Sequence, residues 1–321
     1  MLDRRKSWLL HAAVAALLVA GFDAAGPDPA FASAASFHFT ITSDLHLNTD
    51  LYACVLDGMQ AELGGQGTFQ VSIGDVVDKA RQTPEPMRKL IDARFGEGAV
   101  WYPLIGNHDI KSKEAMAWCR TEFDTGNGRR QPIKDRISHH GPFGCIETTY
   151  SWDCGNAHFV AINEYWNGRT GKGSDATTDG DIVPKLRAWL EADLAANDKP
   201  FIFVFGHEPA FAEDRHEGNC LDGHAANRDA FWQVLKKYHV QVFFSGHIHF
   251  YYKEVHDGVW QISDGNAGNG KQETHQTFLD VIVGPDCAKV NVWQNSANGS
   301  KTWRLAETLA LTAPALPSAS P

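Results

Sequence analysis

A largely parallel α/β fold is predicted by two features of the sequence. Short apolar runs stop abruptly at polar residues, and stretches of helical length lie between them. The runs cover 37–42, 69–73, 100–105, 201–205 and 240–244, and they end at Ser43-Asp44, Gly74-Asp75, Gly106-Asn107, Gly206-His207 and Ser245-Gly246. Each is rich in Val, Ile and Phe, the composition of a strand buried on both faces. Helices are expected at 52–63, 85–95, 113–123, 182–196 and 226–238, with Pro184 in the first turn of the fourth. A further strand is expected at 158–163. Later the chain changes character: 259–263, 277–283 and 288–294, separated by Gly- and Asn-rich turns, read as an antiparallel meander. Residues 126–144 and 167–180 are polar and Gly-rich and read as long surface loops.

Composition sets the domain limits. A chain of 321 residues, 43% hydrophobic, can bury a full core, and one globular domain is placed at 35–305. Residues 1–34 read as a signal peptide: Arg4, Arg5 and Lys6 precede an apolar stretch, and Ala32-Ser33-Ala34 offers small residues for cleavage. Export to the periplasm or beyond is therefore expected, with an uncleaved anchor as the alternative. Ser7 stands where the twin-arginine route would place a large apolar residue, so the general secretory route is favoured. No membrane span is expected once the signal is removed. The tail, 306–321, drifts into Ala, Pro and Ser and reads as disordered.

The net charge is −10, from 29 basic and 39 acidic residues, which argues against long nucleic acids as partners. It leaves room for a small phosphate ester drawn in by bound metal. Of the six cysteines, none is spaced as CxxC, which excludes zinc-ribbon and thioredoxin-type sites. Cys145 and Cys154 flank an expected strand and are the first pair to examine for a disulfide.

Five strand ends carry metal-ligating side chains. They are Asp44-Leu45-His46, Gly74-Asp75-Val76-Val77-Asp78, Gly106-Asn107-His108-Asp109, Gly206-His207-Glu208 and Gly246-His247-Ile248-His249. In open α/β sheets the carboxyl ends of strands face one crevice, so these loops can converge. Residues two apart on an extended segment point to the same side, which would aim Asp44 with His46, and His247 with His249, at one place. The glycines are expected to let the backbone turn where the strand stops.

These blocks, in this order, resemble the calcineurin-like metallophosphoesterase superfamily: D-x-H, GD-x-x-D, GNH-D/E, a lone His, then GH-x-H. The resemblance spans roughly residues 40–250 and implies a sandwich of two mixed sheets flanked by helices. It also implies two metal ions. Asp44, His46, Asp75 and His249 would hold one, and Asp75, Asn107, His207 and His247 the other, with Asp75 bridging. Two divalent ions against two carboxylates leave the site positive, which suits a phosphate ester and a metal-bridging hydroxide that attacks phosphorus. The all-N/O ligand set suits Mn, Fe or Zn without choosing among them. By the same resemblance His108 faces substrate and protonates the leaving oxygen or stabilises its charge. Asp109 is expected to orient and charge His108, and Asp78 to orient a ligand imidazole.

The chain departs from the purple acid phosphatase branch, which has Tyr where Asp78 stands, so an Fe(III)–tyrosinate centre is not expected. The intact blocks lean towards phosphodiesters, with phosphomonoesters or nucleotides as the alternative. A catalytically silent binding module is the rival from another class, but no ligand is missing. An amide-cleaving metal hydrolase would call for an HExxH helix, which is absent.

Other polar and aromatic residues are read more plainly. His158, His224, His239, His256 and His275 are expected to be structural, and His139-His140 a solvated loop pair. His216, in an acidic stretch with Glu213, Asp214 and Glu217, is read as an ordinary loop residue before a substrate gate. Tyr165 and Trp166 are read as packing before stacking on a flat leaving group. Asn163, Asn266 and Asn269 are weaker candidates as donors to phosphate oxygens.

Overall fold

The computed structural model describes residues 36–122, 137–170, 179–269 and 275–312. The strands are β1 (Phe37–Thr42), β2 (Gln70–Ser72), β3 (Trp101–Pro103), β4 (His139–His140), β5 (Tyr150–Cys154), β6 (Ala157–Ala161), β7 (Phe201–Phe205), β8 (Val242–Ser245), β9 (Tyr251–His256), β10 (Val259–Asp264), β11 (Thr277–Val283), β12 (Cys287–Asn295) and β13 (Trp303–Thr312). Among them lie helices α1 (Thr49–Leu63), α2 (Glu85–Phe95), α3 (Lys113–Glu122), α4 (Pro184–Ala196) and α5 (Ala225–Lys237).

Two sheets form. One runs β13-β12-β11-β1-β2-β3, with β1, β2 and β3 parallel and the remainder antiparallel. The other runs β4-β5-β6-β7-β8-β10-β9, with β6, β7, β8 and β10 parallel. This is the mixed two-sheet α/β sandwich that the motif resemblance implies. Strand β7 shows why its sequence is apolar throughout. Phe201, Phe203 and Phe205 face the inter-sheet core with Phe39, Phe159 and Phe244. Ile202 and Val204 face the opposite way, towards Leu186 and Leu190 of α4 and Phe231 of α5. The period of two thus feeds two apolar layers, and no position can be polar.

Helix α1 starts three residues before the expected 52, because the Asn48 side chain accepts from the Leu51 N–H and caps it. Helix α4 begins at Pro184, which needs no amide partner there. Three expectations fail. The first strand of the anticipated meander, β10, pairs parallel to β8 in the second sheet; the meander proper is β11, β12 and β13. The tail expected to be disordered from 306 is strand through Thr312, paired with β12, with Leu309 and Leu311 buried. Its outer face is exposed, so composition alone reads it as polar drift. His139 and His140 form the short strand β4 instead of a loop; His139 is exposed as expected and lies 3.0 Å from Asp193.

Cys145 lies in the turn before β5 and Cys154 at the strand's last residue, and no disulfide joins them. The expected signal peptide and parts of both expected loops lie outside the described residues. No helix among the described residues is long and apolar enough to cross a membrane.

One polar staple fastens α4 to the edge of the second sheet. His158 on β6 is nearly buried, with Nδ1 2.7 Å from Asp153 on β5 and Nε2 2.9 Å from Asp193 on α4. Asp193 also accepts from the Ser151 hydroxyl at 2.7 Å. Burial lowers the imidazole pKa, but the bonds to Asp193 and Asp153 outweigh it and raise it above the ordinary 6.5. The stabilisation is therefore complete below about 6.5 and is lost as pH rises through the folded-state value. Wild type should lead His158→Gln by more in urea unfolding at pH 6 than at pH 9. An equal lead at both values would remove His158 as a charged staple.

Candidate metal centre

The carboxyl ends of β1, β2 and β3 in one sheet and of β7 and β8 in the other meet at one edge of the sandwich. Each apolar run ends there and hands over to a short loop. The loops do not continue as strand. Asp44, His46, Asp75, His247 and His249 have φ of 52, 46, 49, 67 and 62°. Their side chains converge because the backbone turns left-handed at each, not because alternate residues of an extended segment share a face. That conformation costs a non-Gly residue about 1–2 kcal/mol.

Backbone bonds between loops hold the turns: His46 N–H donates to the Asp75 carbonyl at 2.8 Å, and Gly246 N–H to the His207 carbonyl at 2.9 Å. Gly74 turns as expected, with φ of 75°, whereas Gly106 and Gly246 serve close approach. A Cβ on Gly106 would lie 2.2 Å from the Asp75 nitrogen, and one on Gly246 2.7 Å from Asp44 Oδ2. Neither has positive φ.

The expected ligands come together in two clusters. Asp44, His46, Asp75 and His249 form one, Asp75, His207 and His247 the other, each with ligand atoms within 4.8 Å of one another. Asp75 is common to both. His249 Nε2 lies 3.0 Å from Asp44 Oδ1, His46 Nε2 3.9 Å and His207 Nε2 3.5 Å from Asp75 Oδ2. The Asn107 amide lies 3.1 and 3.3 Å from the Asp75 oxygens; with nitrogen inward it donates to them, and with oxygen inward it offers a cation ligand. His207 Nδ1–H donates to the Ile73 carbonyl at 2.7 Å, which turns Nε2 towards Asp75.

Beside these clusters His108 donates from Nδ1 to the Asp78 carbonyl at 2.7 Å, so Nε2 faces the centre, 3.9 Å from Asp75 Oδ2. The Asp78 carboxylate stands between two rings, 3.5 Å from His46 Nδ1 and 3.6 Å from His108 Nδ1. Asp109 does something other than expected. Its carboxylate accepts from the N–H groups of Val77 at 3.0 Å, Val76 at 3.3 Å and Gly106 at 2.9 Å. It clamps two ligand loops together, and the contact to His108 belongs to Asp78.

Supports that the sequence did not single out lie behind the ligands. Ser43 Oγ bonds Asp44 Oδ2 at 2.7 Å and also the buried Asp264 carboxylate. Glu164 accepts from the Glu208 N–H at 2.7 Å, and Glu208 accepts from the Tyr165 hydroxyl at 2.8 Å. Tyr165 and Trp166 are buried and unavailable for stacking. Asn163 and Asn266 are likewise buried, and Asn163 donates to Thr148. His216 is no ordinary loop residue: its ring lies 4.3 Å from that of His247.

Over residues 37–251 the chain matches the calcineurin-like phosphoesterases. The chain belongs to the calcineurin-like phosphoesterase family. It is 29% identical over 181 residues to Purple acid phosphatase 22 of Arabidopsis thaliana, covering 53% of this chain and 36% of that one. The chain thus spans about a third of that relative's length. Its fold is similar to a dimetal phosphatase from Danio rerio, with TM-score 0.58, 16% identity and coverage of 87% and 99% of the two chains. It is also similar to GAP50, the anchor in the inner membrane complex of Plasmodium, with TM-score 0.59, 13% identity and coverage of 87% and 90%.

The residues of this calcineurin-like phosphoesterase fit a dinuclear metal site. Asp44 Oδ1 and His207 Nε2 are fully buried and take no hydrogen bond among the described residues. Burial pushes the Asp75 carboxyl up, but the His207 imidazole outweighs it and holds it at about 2. The Asp44 carboxyl is likewise held well down by His249 and His46 against burial. Both carboxylates are therefore anionic and dry, a state that calls for cations. Burial together with the Asp75 charge pushes Asp109 up to about 7.

Asp109→Ala would strand three backbone N–H groups, at about 1–3 kcal/mol for each that stays buried. Stability should fall by more than about 2 kcal/mol, with loss of metal affinity. Chemical denaturation and metal titration check this; a change under about 1 kcal/mol would show that Asp109 is no clamp.

Proposed function

We propose that the chain hydrolyses phosphoric esters with the help of two metal ions, and that Asp75 is the ligand they share. What supports this most is the position of Asp75 in both ligand clusters, with His108 Nε2 3.9 Å from it. Asp44, His46 and His249 would complete one site, and Asn107, His207 and His247 the other. Bound there, two divalent ions would supply an activated water and charge to polarise the phosphoryl oxygens. The nitrogen and oxygen donors suit Mn, Fe or Zn.

The protein's own part is positioning and proton handling. His108 is fixed by its Nδ1–H bond to the Asp78 carbonyl and presents Nε2 to the reacting centre. With Nδ1 engaged by the Asp78 carbonyl, Nε2 is the ring atom placed to hold a proton and pass it to the leaving oxygen. Asp78 also steadies His46 from its Nδ1 side. A silent binding module is disfavoured because no candidate ligand residue, nor His108, is missing from the sequence. The slight diester preference suggested by the motif blocks is one outcome of the assays below. Export would follow from residues 1–34, and the net charge of −10 suits small esters over long nucleic acids.

Asp75→Asn should release both ions together, and elemental analysis still finding two per chain would end its role as the bridge. His108→Ala should retain both ions yet lose about 10²–10⁴ in kcat on an ester with a poor leaving group. An unchanged kcat there would refute the acid role.

A further inference from the structure

The loop after His207 carries a run of charge, Glu213-Asp214-Arg215-His216-Glu217. Its acids point out: Glu213, Asp214 and Glu217 are exposed, while Arg215 and His216 are half-buried. Flanked by three carboxylates, Arg215 makes no ion pair with any of them among the described residues. The guanidinium's single hydrogen bond there runs from Nη1 to the His247 carbonyl, at 3.1 Å. The guanidinium therefore leans over a metal ligand with most of its donors uncommitted.

The backbone enforces that choice. Asp214 and His216, on either side of Arg215, have φ of 57 and 63°. The His216 ring packs 4.3 Å from that of His247 and pins the loop to the centre. Asp222 holds the other end, accepting from Gly218 N–H at 2.8 Å and Cys220 N–H at 3.1 Å. Left-handed residues on both sides of one arginine are a cost that an ordinary surface loop would relax. The Asp44 and Asp75 carboxylates oppose the lowering of the Arg215 pKa by burial, so the guanidinium is within electrostatic reach of both.

We propose that Arg215 grips the phosphoryl group and makes this site selective for phosphomonoesters, which rests on the hydrolase reading above. A monoester has three non-bridging oxygens and a charge near −2 at neutral pH; a diester has two such oxygens and a charge of −1. The monoester thus brings one more oxygen and one more charge to be met, and a forked, permanently charged guanidinium meets both. This reverses the slight diester preference suggested by the motif blocks.

The test uses metal-loaded protein, wild type and Arg215→Gln, with p-nitrophenyl phosphate and bis-p-nitrophenyl phosphate as substrates. In the variant the ratio of kcat/KM for monoester over diester should fall about tenfold, mainly through KM for the monoester. Inorganic phosphate, followed by calorimetry, should bind about tenfold more weakly. Arg215→Lys should recover part of both losses, and Glu217→Gln, on the exposed side of the same loop, should change neither. An unchanged ratio with unchanged phosphate affinity, or an equal loss on both esters, overturns the assignment. If wild type cleaves neither ester, the hydrolase reading falls, and phosphate binding then decides the Arg215 contact separately.

Discussion

Asp75 lies buried where the two sheets converge, and its oxygens are approached from several sides. Oδ1 accepts the His108 backbone N–H at 2.7 Å, while Oδ2 faces the His46, His108 and His207 imidazoles at 3.9, 3.9 and 3.5 Å. A dry carboxylate in such company is stable only if positive charge is supplied to it. Much of the neighbouring design follows. The Gly106 backbone must come so near the Asp75 nitrogen that no side chain can stand there. The Asp109 carboxylate must tie the loop after β3 to the loop after β2.

The strain of the centre is borne by the sandwich beneath it. Five ligands in the left-handed region would relax if their loops were free, yet each follows a strand buried on both sides. Phe39, Phe159, Phe203 and Phe205 interlock between the sheets, with Phe39 and Phe159 in edge-to-face contact at 5.2 Å. Burial of such rings is worth about 1.5–3 kcal/mol apiece, enough in sum to hold a few unfavourable dihedrals. Rigid strand ends also fix where each ligand starts, so that short loops suffice to close the site.

Charge is arranged at two ranges. The surface carries net negative charge, whereas the centre joins two carboxylates to imidazoles, and Arg215 leans over them from the loop after β7. A phosphate ester would be drawn by the local sign and not by the global one, since salt screens the distant charges over about 8–10 Å.

The sequence alone determined the alternation of strand and helix, and it named the seven candidate ligands and His108 that the fold brings to one edge. These were legible because each depends on residue type and order: continuous apolar runs mark strands buried on both sides, and His, Asp and Asn at their ends mark ligands. It did not determine which sheet a strand would join. β10 reads as one more meander strand, and only the parallel partner β8 brings it into the second sheet. Nor did it show what Asp109 touches, because three backbone N–H groups from two loops leave no trace in composition. Arg215 was hidden for the same reason: within a charged run its identity is plain, but the direction it faces is set by two left-handed neighbours and by packing against His247. Local chemistry is written in the chain, whereas the pairing of distant segments is decided by which faces must be buried together.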